Sequence, residues 1–315
     1  MITTDISLFF DPTVHKYTDN RGNEYVSVTT LIGKYEDKFD SKKMARLCEL
    51  SGRKGNPKYR GKTAKQLEKE WKITSKEACD LGNEKHNYLE ESIKASTGFR
   101  TGAASIIASG RILTINDVIT NPGFGELSLE YFVTTKIDIL YPSIYAIVAA
   151  LVKQGYRIYA ELGVFNYEKL ISGLIDLFLI KDKEFIIIDW KTNRADINYK
   201  AGYYEKDGNG NFTGNFIETY KTFKEPLDNI PCSVGYKYTF QLSSYAFMAE
   251  RFGLTCKAII LCHIRHEMYL NTDVNAIVNK VDFRPITYMK NEVEKLMNHH
   301  YDNRKLNKQL EITVG

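Results

Sequence analysis

Two carboxylates and a lysine lie inside neighbouring apolar runs near the middle of the chain. Residues Ser172–Arg194 read SGLIDLFLIKDKEFIIIDWKTNR, with Asp176 in the first run and Asp189 and Lys191 closing the second. Side chains alternate between faces along a strand, so Asp189 and Lys191 share one face. A buried, unpaired carboxylate costs several kcal/mol, whereas a divalent cation accepts carboxylate oxygens as ligands. The residue types therefore suit a Mg²⁺ ion beside a water to be activated.

A further acidic residue, Glu161, lies in the preceding apolar run. Neighbouring strands could bring it to the same end of a sheet as Asp176, Asp189 and Lys191. The structural alternative is a buried Asp–Lys salt bridge at a sheet edge, a device that is often no more stabilising than apolar residues. This motif alone leaves both interpretations open.

Three more motifs could contribute polar groups. Gly82 and His86 are four residues apart on one predicted helix, and Gln241 and Tyr245 on another, so each pair shares a helix face. The cluster Ser27–Thr30 stands at a predicted helix start, where hydroxyls cap the helix or hold a phosphate. The ordinary alternatives are a surface histidine, an amphipathic core stripe and simple capping.

Composition describes a globular chain of 315 residues, with 43% hydrophobic and 26% charged residues. The longest uncharged apolar stretch, Ile139–Val152, is shorter than the roughly 20 residues that cross a bilayer. The first residues lack the basic region of a secretory signal. The 5 cysteines are scattered and odd in number, which favours reduced thiols and a cytoplasmic location, in the host cytoplasm if the protein is viral.

Positive charge is concentrated in one window although the net charge is only +4. Residues Lys34–Lys76 hold 14 lysines and arginines against 6 acidic residues. The centre of this window, Gly52–Lys62, has basic residues and turn formers but no acid. Such a cluster is either a solvated loop or an arm that contacts phosphates, because polyanions release counterions on binding it.

Apolar periodicity and turn residues predict an α/β fold, a central mixed sheet flanked by helices. Short connections between the three central strands predict antiparallel hairpins, and a Gly- and Tyr-rich segment is expected to be an exposed loop. The predicted elements are a hairpin turning at 19–23, a helix from Ser27 or Thr29, helices over 42–50, 63–73, 75–94, 144–154, 241–252 and about 285–308, strands over 156–166, 171–180, 184–191 and 258–264, and a loop over 199–220.

Taken together and in this order, these residues resemble the PD-(D/E)xK nuclease superfamily, in its RecB-like branch of phage-type and mitochondrial genome-maintenance exonucleases. The resemblance spans most of the chain, and its ordered set of motifs is more specific than any one of them. The matching pieces are Ser27-Val28-Thr29, Gly82-x-x-x-His86, Glu161, Gly173-x-Ile175-Asp176, Asp189-Trp190-Lys191-Thr192 and Gln241-x-x-x-Tyr245.

The resemblance implies a restriction-endonuclease-like core and a role for each matching residue. The implied metal ligands for Mg²⁺ or Mn²⁺ are His86, Asp176, Asp189 and the backbone carbonyl of Trp190. The implied catalytic residues are Asp176, Asp189, Glu161 and Lys191, of which the lysine orients or deprotonates the attacking water. The expected DNA contacts are Ser27, Thr29, Gln241 and Tyr245, together with the basic residues Arg53, Lys54, Lys58, Arg60 and Lys62.

The resemblance also implies an activity and a domain plan. The expected protein is a metal-dependent DNA nuclease, acting as an exonuclease on single-stranded or frayed ends in recombination, repair, replication or degradation, with a possible partner protein from those processes. The alternative is an inactive nucleic-acid-binding or virion protein that keeps the fold. The cysteine spacing argues against an iron–sulfur cluster. We expect one domain, with a DNA-binding part over about 1–95, an insertion over about 96–135, a core over about 140–268 and a final helix.

Overall fold

A computed structural model describes residues 5–11, 13–37, 40–76, 110–193, 195–207, 211–273 and 275–314. Within these ranges the protein is a mixed α/β structure with a large central sheet that has helices on both faces. No helix in the described part is long and apolar enough to cross a membrane.

The chain starts with a three-stranded meander that leads directly into a helix. The strands are β1 (Leu8–Asp11), β2 (Lys16–Asp19) and β3 (Glu24–Ser27), and helix α1 covers Val28–Gly33. Asp19 closes the turn between β2 and β3 by accepting hydrogen bonds from the backbone N–H groups of Arg21 and Asn23, both at 2.9 Å. Ser27 caps α1 by accepting from the Thr30 N–H. The predicted hairpin and helix start are confirmed.

Helices fill most of the described chain before the central strands. They are α2 (Ser41–Arg53), α3 (64–76), α4 (Ile115–Thr120), α5 (Leu129–Thr134), α6 (Ile137–Leu140) and α7 (Pro142–Lys153). The predicted helix break near Ser75 is wrong, because the backbone stays helical from 64 to 76. The rest of the predicted helix 75–94, including Gly82 and His86, lies outside the described residues.

Three long antiparallel strands follow as predicted. They are β4 (Arg157–Asn166), β5 (Ile171–Lys181) and β6 (Glu184–Lys191), joined by short turns. Their apolar runs are continuous rather than alternating because both faces of these strands are buried.

The remaining elements depart from the sequence-based expectations in three places. They are β7 (Gly202–Lys206), β8 (Phe212–Glu218), α8 (Val234–Glu250), β9 (Thr255–Asn271), β10 (Ala276–Pro285) and α9 (Lys290–Val314). The predicted loop over 199–220 is wrong, because it contains the β7–β8 hairpin. Helix α8 begins at 234 rather than 241, since Ser233 accepts a hydrogen bond from the Tyr236 N–H and caps it. Strand β10 was not predicted.

Strand β5 has a divided edge that opens the sheet. The sheet order is β1-β2-β3-β5-β6-β9-β10, and β4 covers the other edge of β5. On the divided edge, β3 pairs in parallel with Ile171 and Ser172, and β6 pairs antiparallel from Leu177 onward. Residues 173–176 therefore lie between the end of β3 and the last pair with β6. We call this gap the sheet split.

Two cores lie on opposite faces of the sheet. One core packs α1, α4, α8 and α9 against the face that carries Phe178, Phe185 and Ile187. The other packs α5, α6 and α7 against the face that carries Leu179 and Ile188. By strand parity Asp189 lies on the same face as Phe185 and Ile187, so the split opens toward α1 and α8.

Both β4 and β5 change faces at the level of the split. Residues two apart in a strand should share a face, yet Ala160 and Leu162 lie in different cores, as do Ile175 and Leu177. The residue between Ala160 and Leu162 is Glu161, whose φ of 48° is in the left-handed region. A non-glycine residue there costs on the order of 1–2 kcal/mol. The surrounding pairs, Ala160–Leu177 and Leu162–Ile175, hold this irregularity in place.

The backbone at Glu161 predicts a reversed order of stability for two substitutions. Glu161→Gly should be more stable than Glu161→Ala by about 1 kcal/mol, because glycine adopts a positive φ without steric cost. The matched control is Glu184 in β6, where alanine should be the more stable replacement. Urea unfolding of the four variants measures the difference. A more stable alanine at both positions would show that the backbone at Glu161 is not strained.

Candidate active site

The Asp189 carboxylate and the Lys191 ammonium form an ion pair at the end of β6. The Lys191 Nζ lies 2.5 Å from the Asp189 Oδ2, and the two side chains are 16% and 1% exposed. Asp189 and Lys191 share one face of β6, as the sequence predicted, and this face is the one toward α8. The Asp189 Oδ1 has no hydrogen-bond partner among the described residues. One lysine therefore satisfies only half of this carboxylate.

Asp176 lies in the sheet split, where no backbone pairing to β6 occupies its strand edge. Its Oδ2 accepts a hydrogen bond from the Trp190 N–H at 3.0 Å. The Asp176 side chain thus takes the place of the β5 backbone as the hydrogen-bond partner of β6 at this point. Burial, followed by the nearby Asp189 carboxylate, raises the pKa of Asp176 well above its ordinary value. Lys191 and the Trp190 N–H oppose that rise without cancelling it. Asp176 thus lacks the counter-charge that its ionised form needs.

Lys191 is held in its charged form. Burial alone would lower the pKa of its ammonium, but the carboxylates of Asp189 and Asp176 raise the pKa above its ordinary value. The ring of Tyr238 in α8 packs against the same ammonium, with the Nζ 5.3 Å from the ring centroid. Both contacts favour a cation at this position.

Trp190 separates the site from the opposite core. Its side chain is buried among the residues packed against α5–α7, on the far face of β6. The N–H and C=O groups of one strand residue point to the same side of the strand. Because the Trp190 N–H points to Asp176, its carbonyl faces the split as well.

Glu161 lies opposite Asp176, between the Ala160–Leu177 and Leu162–Ile175 pairs. Its charge also raises the pKa of Asp176, with a smaller effect than burial and the Asp189 carboxylate. It also contributes, after burial, to the raised pKa of Tyr17 in β2. Glu161 is therefore a third carboxylate in the electrostatic surroundings of Asp176.

Gln241 and Tyr245 approach the split from α8. The Gln241 Nε2 donates to the Tyr245 hydroxyl at 3.0 Å. The Tyr245 ring lies over Gly173, where a Cβ atom would stand 2.3 Å from the ring Cε1. Glycine at 173 is thus required for α8 to lie this close to β5. Burial, followed by the Asp189 carboxylate, raises the pKa of the Tyr245 hydroxyl, so this side chain faces the acidic pair.

Sequence reasoning missed three side chains that support Lys191. The Tyr238 hydroxyl donates to the Asn193 Oδ1 at 2.6 Å, and the backbone carbonyl of Asn193 accepts from the His263 Nε2 at 2.8 Å. Burial lowers the pKa of His263, which favours the neutral ring with its proton on Nε2. Tyr238, Gln241 and Tyr245 are spaced i, i+3, i+7 on one helix face. That spacing was the available signal, but the predicted helix began only at Gln241.

Ser27 and Thr29 stand at the edge of the split where β3 ends. Ser27 pairs with Ser172 of β5, and its hydroxyl accepts from the Thr30 N–H at 3.1 Å and donates to the Thr30 hydroxyl at 2.8 Å. Capping is therefore the observed role of Ser27. The Thr29 hydroxyl lies 3.1 Å from the Ser27 hydroxyl, and Thr29 is exposed.

The expected basic DNA contacts lie at the end of α2 and in the folded loop before α3, beside β7. Arg53 pairs with Glu49 at 2.5 Å, and Lys62 pairs with Glu70 at 2.8 Å. The Lys58 Nζ donates to the Lys206 carbonyl of β7 at 2.8 Å. Arg60 and Lys54, which follows the end of α2, are exposed. The expected DNA contacts thus divide into two groups, one at the split and one beside the β7–β8 hairpin.

Two of the expected metal ligands, Asp176 and Asp189, lie close together among the described residues. No three His, Cys, Asp or Glu side chains in these ranges are grouped so that they could hold a metal ion. His86, the third expected side-chain ligand, lies outside them. Asp176 and Asp189 fit a divalent cation, because one lysine leaves the Asp189 Oδ1 unbonded and Asp176 without its counter-charge. With the Trp190 carbonyl, they offer hard oxygen ligands on one side of the split.

Comparison with family models, curated proteins and solved structures found no match to the chain. The resemblance to PD-(D/E)xK nucleases therefore depends on the residues of the sequence alone.

The buried Asp176 carboxyl predicts that stability depends on pH when no metal is present. Because the folded-state pKa is raised, the folded protein keeps a proton that the unfolded chain loses above about pH 4, so this group makes stability fall as pH rises. Asp176→Asn keeps an oxygen for the Trp190 N–H but removes the charge. In EDTA the variant should be more stable than the wild type at pH 8, with a smaller difference at pH 5. Urea unfolding at both pH values measures this, and a difference independent of pH would contradict it.

Proposed function

We propose that this chain is a cytoplasmic, metal-dependent nuclease that hydrolyses phosphodiester bonds in DNA, and that its sheet is a restriction-endonuclease-like core. The observation that carries the proposal is the sheet split, in which Asp176, Asp189 and Lys191 meet although one ammonium cannot balance both acids. A purely structural salt bridge would need Asp189 and Lys191 alone. The second buried acid at the same point favours a site for a divalent cation.

Asp176, Asp189 and the Trp190 carbonyl would hold the metal, joined by His86 as the resemblance implies. A bound Mg²⁺ or Mn²⁺ lowers the pKa of water and offsets negative charge on a phosphate. Burial restrains the Asp189 carboxylate, since the Asp189 side chain is only 1% exposed. Its position is further fixed by the pairing of β6 with β9 at Asp189 and Leu261.

Lys191 supplies positive charge to the reacting phosphate. In hydrolysis a water oxygen bonds to phosphorus, the bond from phosphorus to one ester oxygen breaks, and that oxygen leaves with a proton. Negative charge grows on the non-bridging oxygens, and a fixed ammonium stabilises it. The contacts of Lys191 with Asp189 and Tyr238 favour this role over that of a base, because they keep its proton bound. Glu161 remains a candidate to accept a proton from the water.

Gln241, Tyr245 and Thr29 border the split and would position the DNA strand there. Exonuclease action is part of the proposal and follows from the resemblance. An inactive protein that binds nucleic acid with the same fold is the alternative outcome of the activity assay.

Removing either member of the ion pair should abolish cleavage. Asp189→Ala and Lys191→Ala should each lower the rate at least about 100-fold, because each loses a group that acts on the reacting phosphate or its metal. The measurement is release of nucleotides from end-labelled linear DNA with Mg²⁺ or Mn²⁺, beside a circular substrate that lacks ends.

The matched control is the salt bridge at the other end of β6, between Lys257 and Glu184 at 2.5 Å. Lys257→Ala removes an ion pair of the same kind from an exposed position and should cleave at the wild-type rate. Cleavage by folded Asp189→Ala above a tenth of that rate would show that the site is elsewhere. If the wild type releases no nucleotide with either metal, the nuclease proposal is wrong and the alternative, an inactive nucleic-acid-binding protein, is favoured.

Metal binding should be visible without catalysis. Mn²⁺ at about 100 times its dissociation constant should stabilise the wild type by about 2.7 kcal/mol. Asp176→Ala and Asp189→Ala should lose most of this gain, whereas Lys257→Ala should keep it. Thermal unfolding with Mn²⁺ and with EDTA measures the effect. Equal stabilisation of all variants would place the metal outside the split.

A further inference from the structure

A groove of about 740 Å³ lies between the basic loop and the β7–β8 hairpin. The loop and α3 form one wall, and the end of β7 forms the other. We call it the hairpin groove. Its lining combines lysines with aromatic rings. Among them are Lys58, Tyr59, Lys62, Tyr203, Tyr204 and Lys206.

The first wall of the groove is a folded loop. A Cβ atom at Gly52 would stand 2.2 Å from the Tyr59 carbonyl oxygen, so glycine at 52 lets the loop pack back onto α2. The Tyr59 N–H donates to Asn56, and the Lys62 N–H donates to Tyr59. These contacts fix the direction of the loop, and with it the positions of the lysines.

The second wall presents rings at the surface of a two-stranded sheet. Tyr203 is 59% exposed although it is a large aromatic residue. Tyr204 is held by edge contacts to Phe212 and Phe216 of β8, with ring centroids 6.1 and 5.1 Å apart. The Lys58 Nζ joins the two walls through the Lys206 carbonyl. Lysines and aromatic rings therefore line the same groove.

We propose that the hairpin groove binds an unpaired nucleic-acid strand, with bases stacked on the tyrosines and phosphates against the lysines. The inference rests on the proposed function and specifies its substrate as single-stranded. Stacking on a side chain requires a base free of its partner, and every base offers a flat face, so such binding discriminates strand state rather than sequence. Paired bases in a duplex do not offer these faces. The acids Glu70 and Asp207 in the lining limit the purely electrostatic attraction, so the rings must contribute.

The groove is tied to the proposed catalytic site through the chain. Strand β6 ends at Lys191 and β7 begins at Gly202, so a short segment joins the two. That segment is fixed to the start of α8, since the Gly235 N–H donates to the Asn198 carbonyl at 2.9 Å and the rings of Tyr199 and Tyr236 meet edge to face. The helix that carries Gln241 and Tyr245 therefore also anchors the hairpin.

The test is binding of labelled oligonucleotides in EDTA, measured by fluorescence anisotropy in the Asp189→Asn background, where cleavage does not interfere. We expect a 20-nucleotide single strand to bind more tightly than a 20-base-pair duplex. Tyr203→Ala should weaken single-strand binding about tenfold and leave duplex binding unchanged, because one stacking surface is lost. Tyr203→Trp should restore the affinity. DNA and RNA strands are compared to decide which sugar is preferred.

Tyr220 provides the matched control. It is 82% exposed and does not line the groove, so Tyr220→Ala should bind as the parent does. Lys206→Ala should flatten the dependence of log affinity on log salt by about 0.7, the value for one phosphate contact with a single strand.

Three results would overturn the inference: equal affinity for single strand and duplex, unchanged affinity in Tyr203→Ala, or equal losses in Tyr203→Ala and Tyr220→Ala. The outcome is separate from that of the proposed function. If the protein cleaves DNA but Tyr203→Ala leaves its affinity unchanged, only the groove inference is wrong. If the groove binds single strands but no cleavage occurs, only the proposed nuclease activity is wrong.

Discussion

The imbalance of charge in the sheet split is the constraint on which the rest of the account depends. Asp189 is almost fully buried and Asp176 is buried beside it, yet among the described side chains Lys191 is the one cation paired with Asp189, and no ion pair to Asp176 is present. Buried ion pairs are weak stabilising devices even when they are balanced. An ion pair with a surplus buried acid is unfavourable unless a further cation offsets the acid.

The fold accepts local strain to build this arrangement. Glu161 has a left-handed backbone conformation. Four residues of β5 lack a strand partner on one edge. At position 173 a glycine leaves space that the Tyr245 ring fills. None of these features improves the packing of a sheet. All three lie within the same stretch of β4 and β5, which is where strain is expected if the site has a function.

The central strands were predictable from their long apolar runs, and the shared face of Asp189 and Lys191 followed because residues two apart along β6 point to the same side. The split was not, since it follows from the order of strands and from β3 reaching β5 across a large gap in sequence. The first turns of α8 were missed because Gly235 and its aromatic neighbours are poor helix formers. The hydrogen bond to the Asn198 carbonyl and the Ser233 cap stabilise these first turns. Tyr238 was lost from the predicted site with those turns.

The most direct test is the anomalous diffraction of Mn²⁺ in crystals of the full chain. The account predicts one strong peak bonded to carboxylate oxygens of both Asp176 and Asp189, with the Lys191 ammonium nearby. A peak elsewhere, or an empty split at saturating Mn²⁺ with Asp189 still paired only to Lys191, would contradict it.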